Sequence, residues 1–186
     1  MYLKSMLKFC KKARVIRIEY HGNQKFLTDG EMRIYLYGAA AKWNSNDFAI
    51  MLELDDDTIE KFTIEDNTAD KHNAFEVAEM QSVEKLICSL NICGIPYQPF
   101  MLPDDTIFLV DMTRLSVFKD FHAKQYFYKS GSLVIAKDNL VIGTIYPTSV
   151  NLDTMKNFTS QLHKGITNSA AAGFFDAGGQ MMITDM

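Results

Sequence analysis

Four histidines, three cysteines and a run of aspartates are the residues here whose types could bind a metal or act on a substrate. His21, His72, His122 and His163 are scattered, and none adjoins a recognisable serine or cysteine nucleophile motif. Cys88 and Cys93 are not followed by a second pair of ligands at zinc spacing. Asp55, Asp56 and Asp57, with Glu53 and Glu60, gather carboxylates. A calcium loop, however, needs ligands at alternating positions around a glycine-bearing turn, and this run is expected to be a solvated hairpin tip. Gly178-Gly179 precedes no lysine-bearing helix, so a phosphate loop is not indicated. No metal or cofactor is expected, and an enzyme would need a site assembled from residues distant in sequence.

The lysines near the N-terminus are the clearest chemical signal. Lys4, Lys8, Lys11 and Lys12 recur at helical spacing, while Leu3, Met6, Leu7 and Cys10 follow the three-and-four rhythm of an apolar stripe. A helix over residues 2–13 would bury one stripe and expose the other. With Arg14, the exposed cations form a candidate nucleic-acid-binding strip that would hold phosphates by charge without reading sequence. The plainer alternative is a solvated helix face, where lysine is common. Membrane-surface binding fits less well, since the apolar stripe is needed for the core and carries no tryptophan.

Charge is distributed to match. The net charge is −4, but Lys4, Lys8, Lys11, Lys12, Arg14 and Arg17 all precede the first acid, Glu19. The remainder holds 13 basic against 23 acidic residues, a balance of −10. Such asymmetry points to a localised anionic partner. A chain of 186 residues with 47% hydrophobic and 23% charged residues suits one globular domain with a sizeable core. No apolar run approaches the roughly 18 residues of a membrane span, and the lysine-interrupted N-terminus is no secretory signal. An odd cysteine count without framework spacing favours reduced thiols, so a cytoplasmic location is expected.

These residues must be positioned by an α+β fold: two or three helices and eight or nine mostly antiparallel strands. The first helix is followed by expected strands at 15–20, 25–28 and 31–37, with a hairpin turn at Asp29-Gly30. Residues 48–54 and 58–65 read as another hairpin, and 65–73 as a polar linker. A second helix is expected over 74–90, burying Val83, Leu86, Ile87 and Leu90 and stopped by Gly94 and Pro96. A strand at 106–110, one or two helical turns at 114–121, and strands at 125–128, 132–136 and 140–146 follow. A third helix is expected over 153–164. The domain would run over 1–165, with half-domains of about 1–70 and 74–165 that share the order helix then hairpins. The 166–186 tail remains unassigned.

Two stretches resemble a known family. Phe26-Leu27-Thr28-Asp29-Gly30-Glu31-Met32-Arg33-Ile34 resembles the threonine-aspartate-glycine turn of bacterial DNA sliding clamps, flanked by apolar strands. The succession from Tyr126 through Ile135 into Leu140–Pro147 resembles that family's meander of three short strands. The resemblance covers about a third of the chain. It implies helices on one side of curved antiparallel sheets, with basic helix residues facing duplex DNA, which suits Lys4, Lys8, Lys11 and Lys12. A bacterial clamp has three such domains, so a lone domain would close a ring only as a homo-oligomer. A phage or mobile-element protein would fit the length. Read without the family, Thr-Asp-Gly is simply a turn in which glycine permits positive φ. The expectation is therefore a non-enzymatic clamp-like domain contacting DNA or a replication partner. The alternatives are a protein-interaction or structural accessory protein without a nucleic-acid role, and a small enzyme with a discontinuous site.

Overall fold

The computed structural model describes residues 2–72, 75–148 and 180–182. Its first element is helix α1, Tyr2–Ala13. The segment has no glycine or proline and is rich in lysine and leucine, both good helix formers. The chain then makes a meander of three strands: β1 (Val15–His21), β2 (Gln24–Thr28) and β3 (Met32–Tyr35). A 3-10 turn at Gly38–Lys42, helix α2 (Ser45–Met51) and helix α3 (Asp56–Ile59) lead to β4 (Thr63–His72). A 3-10 turn at Val77–Glu79 precedes β5 (Gln81–Ser82), β6 (Glu84–Lys85), β7 (Ser89–Ile92), β8 (Ile95–Met101) and β9 (Ile107–Asp111). Helix α4 (Met112–Leu115) runs into a 3-10 turn at Ser116–Phe118. A second meander follows: β10 (Gln125–Lys129), β11 (Ser132–Lys137) and β12 (Leu140–Ile145). The last described strand is β13, Gln180–Met182.

Eight strands form one sheet in the order β4-β1-β2-β3-β12-β11-β10-β5. Its pairs are antiparallel except β1 with β4. The two meanders thus meet through their third strands, Met32 opposite Ile145 and Ile34 opposite Gly143. A second sheet has the order β13-β7-β8-β6, with β9 also on β8. Its β13 runs parallel to β7.

The main core lies where α1 covers the first sheet. Met6, Leu7 and Cys10 are buried there among Ile16, Ile18, Leu27, Ile34, Phe118, Leu133 and Ile135. Of the apolar stripe read from the sequence, Met6, Leu7 and Cys10 are buried and Leu3 is partly buried against the same core. Gly143 lets the meanders join closely, because a Cβ there would run into the Phe118 ring and the Arg33 carbonyl. The opposite face of the sheet holds a smaller cluster of Phe26, Met80, Val134 and Val141, and the second sheet another of Leu86, Cys88, Leu90, Tyr97 and Leu109.

The α+β class and the mostly antiparallel sheets are as expected, while several elements differ. Residues 74–90 are not a helix: where described they form a 3-10 turn, β5, β6 and the start of β7. Leu86, Cys88 and Leu90 point inward and Ile87 is fully exposed, a period of two. The buried Gln98 amide donates to the carbonyls of Leu86 and Cys88 and stitches this segment to β8. Residues 48–54 are no strand, since Ser45–Met51 is helical behind a capping box between Asn44 and Asp47. Asp55, Asp56 and Asp57 are the N-cap and first turn of α3, with Asp55 accepting from the Thr58 amide at 2.8 Å, and not a hairpin tip. Most of the polar 65–73 stretch belongs to β4, which among the described residues is an edge strand of the large sheet, a place where charged residues are common. The helix expected over 153–164 lies outside the described residues.

Candidate nucleic-acid interface

The helical register of α1 sorts its side chains physically. At 100° per residue, positions 4, 8, 11 and 12 span an arc of about 100°, away from Met6, Leu7 and Cys10. All four lysines and Arg14 are exposed. Among the described residues none of the five makes an ion pair within 4.0 Å. Lys11 and Lys12 occupy the last turn, where the negative end of the helix dipole favours cations. This gives them a structural role whatever else they contact. Arg14 ends the helix with φ of 58°, a left-handed conformation that glycine usually adopts at this position. Its carbonyl accepts from the Thr63 amide at 2.9 Å, so the helix end is tied to β4.

Acids border the far end of the strip. The exposed Asp55 carboxyl is held down chiefly by its hydrogen bonds to Thr58, and then by the positive charges of Lys61 and Lys11. Lys12 lines a polar depression of about 410 Å³ with Glu31, Asp111, Arg114, Tyr97 and Tyr146. Lys4 and Lys8 stand nearer the other end of α1.

Beneath the depression lies an ion-pair cluster that the sequence did not reveal. Asp29 is buried; its carboxylate accepts from the amides of Glu31 (3.0 Å) and Met32 (2.8 Å) and from Arg114 Nη1 (2.6 Å). Arg114 also pairs with Glu31 and lies over the Phe9 ring, 5.0 Å from its centroid. Thr28 Oγ1 accepts from the Gly30 amide, and Gly30 has φ of 96°. The Thr-Asp-Gly turn therefore serves to hold α4 against α1 and the first meander. The motif was visible in the sequence, but its partner, 85 residues away, carried no local signal.

On the other face of the sheet, Glu19 is buried between Arg33 and His21. Burial would raise its carboxyl, but His21, with Nε2 at 3.8 Å, and the hydrogen-bonded Arg33 outweigh burial and hold it at about 2. His21 stacks on Phe75 at 4.4 Å and lies edge-on to Phe26. Cys10 and Cys88 are buried, and burial pushes both thiols up, away from thiolate character; Cys93 is exposed. His122 is exposed, while His163 lies outside the described residues. Among the described residues, no group of three or more histidines, cysteines and carboxylates is disposed to hold a metal ion, and no helix is long and apolar enough to cross a membrane.

No protein-family model matches the chain, and neither a curated protein nor a solved structure matches it significantly.

Proposed function

We propose that the chain is a non-enzymatic, clamp-like domain, acting in the cytoplasm, that contacts DNA or a replication partner through the exposed face of α1. The carrying observation is the strip of Lys4, Lys8, Lys11 and Lys12 with Arg14, exposed and without ion pairs among the described residues. The clamp-like part draws support from a repeated arrangement. A helical element followed by a three-strand meander occurs twice, as α1-β1-β2-β3 and as α4-β10-β11-β12, and the two meanders pair through their third strands. Self-association would let a domain of this size encircle or line a duplex. Contact is with phosphates, so it is independent of sequence and sensitive to salt.

A duplex of arbitrary sequence, titrated at low and moderate salt against the wild type and a variant with Lys4, Lys8, Lys11 and Lys12 all changed to Ala, tests this reading. Each phosphate contact adds a slope of about −0.9 in log affinity against log salt. Three or four contacts should give a slope of roughly −3, and the variant should lose most of its affinity while remaining folded. No binding by the wild type at low salt would overturn the reading. A protein-interaction role would then lead, favoured by the acids that border Lys11 and Lys12.

A further inference from the structure

At the N-terminal end of α1, away from the acids, four aromatic residues from three segments come together. Tyr2 donates its hydroxyl to the Tyr35 carbonyl at 3.0 Å, which fixes its ring. Phe121 meets that ring edge-on at 5.3 Å. Tyr37 stacks on it at 5.4 Å with only 12° between the planes, and Tyr35 lies 6.3 Å from Tyr37. Tyr37 is nonetheless 50% exposed.

The backbone holds Tyr37 in this pose. Leu36 before it is buried, and its amide donates to the Lys25 carbonyl at 2.8 Å. Gly38 after it has φ of 61° and opens the 3-10 turn, a conformation that ordinary side chains resist. Tyr37 is thus an aromatic ring stacked on one fixed neighbour and half open to solvent, set between two constrained residues. A scattered exposed tyrosine needs no explanation, but an exposed ring stacked on a fixed neighbour has the geometry of a stacking platform. Exposed cations lie on the segments that build it: Lys42 in the 3-10 turn after Tyr37, Lys119 shortly before Phe121, and Lys4 in the first turn of α1, against the single exposed acid Asp120. Lys124 is turned inward onto the carbonyls of Phe118 and Phe121.

We propose that Tyr37, backed by Tyr2, stacks an unpaired nucleobase, so that the chain takes single-stranded nucleic acid, with phosphates following the flanking cations. This rests on the nucleic-acid reading above and narrows its ligand. A planar π-face with cations on the adjoining segments suits a base joined to its phosphates, and stacking is tolerant of base identity. A fully paired duplex buries its base faces and offers Tyr37 nothing.

The full-length chain is titrated with an oligothymidine strand, with a strand carrying a fluorescent adenine analogue quenched by stacking, and with a blunt duplex of equal length. The wild type should bind the strands and quench the analogue. Tyr37→Ala should weaken strand binding roughly tenfold, the scale of losing one stacked base, abolish the quench and leave duplex affinity unchanged. Tyr37→Phe should behave as wild type, and Tyr37→Leu, which keeps an apolar side chain without the ring, should behave as Tyr37→Ala. Equal strand affinities for wild type and Tyr37→Ala, or for wild type and Tyr37→Leu, would overturn the proposal. Duplex binding lost in the four-lysine variant, with no quench by the wild type, would sink the base platform and leave the lysine strip standing. Strand binding that depends on Tyr37 but ignores the lysines would do the reverse. Binding to none of the probes would remove both.

Discussion

The two helix-and-meander units of the large sheet share a framework and differ in what they place on it. Both meanders begin with a hairpin closed by a two-residue turn, Gly22-Asn23 in the first and Ser130-Gly131 in the second. Counted back from those turns, Glu19 opposite Phe26 in the first unit takes the place of Phe127 opposite Val134 in the second. The first unit therefore buries a carboxylate, held by Arg33 and His21, where the second packs a phenyl ring. The helices diverge further. α1 has 12 residues with a lysine-bearing outer face, whereas α4 has four and continues as a short turn that sinks Val117 and Phe118 into the core. One architecture thus carries a charged, solvent-facing unit and a mainly apolar one that anchors it.

The contrast can be broken most strongly at the seam. Phe118 is wholly buried and lies against Gly143, where the third strands of the two units pair. Phe118→Ala should cost ~3–5 kcal/mol from lost burial and the cavity left behind. Chemical denaturation would read this as a lower midpoint, and an unchanged midpoint would show that the two units do not rely on this contact.

Acid should separate the units next. The Glu19 carboxyl is held at about 2 against an ordinary 4.5. A carboxylate depressed in the folded state contributes stability that is fully present above pH 4.5 and is lost as pH falls towards 2. A shift of this size corresponds to about 3 kcal/mol. In amide exchange across that window, β1, β2 and β3 should lose protection before β10 and β11. In Glu19→Gln the difference between the units should be largely independent of pH.

The smallest effect concerns Arg14, whose left-handed backbone is strained for any residue with a Cβ. Arg14→Gly should raise stability by roughly 1 kcal/mol while removing one charge from the strip. Higher melting temperature with weaker duplex binding would mean that the cation is retained for contact at the expense of stability. Higher melting temperature with unchanged binding would drop Arg14 from the interface.

What could be read from the sequence follows the range over which each element is determined. α1 and both meanders rest on local periodicity and turn chemistry, and Tyr2–Ala13, Gln125–Lys129 and Ser132–Lys137 fall close to where the pattern puts them. Residues 74–90 misled because Val83, Leu86, Ile87 and Leu90 happen to share helical spacing. Burial of Cys88 and exposure of Ile87 depend on pairing with β8 beside them, which no local pattern encodes. Asn44 with Asp47 three residues on was a legible helix start that the apolar run after it obscured. At the candidate interface the lysine stripe was readable, since exposure follows from helical geometry. The Arg114 pair with Asp29 and the stack of Tyr37 on Tyr2 were not, because each joins segments far apart in the chain.

The pairing of β3 with β12 has a consequence during synthesis. Met32 finds its partner Ile145 more than a hundred residues later. At roughly 5–20 residues per second, the emerging chain waits about 5–20 s before β12 can reach β3. Throughout that interval the first meander has a bare inner edge, open to pairing with other nascent chains. Arg33 sits on that edge with its guanidinium already within reach of Glu19 on β1. A charge fixed there by its own unit discourages a stray strand from adding before the proper one arrives.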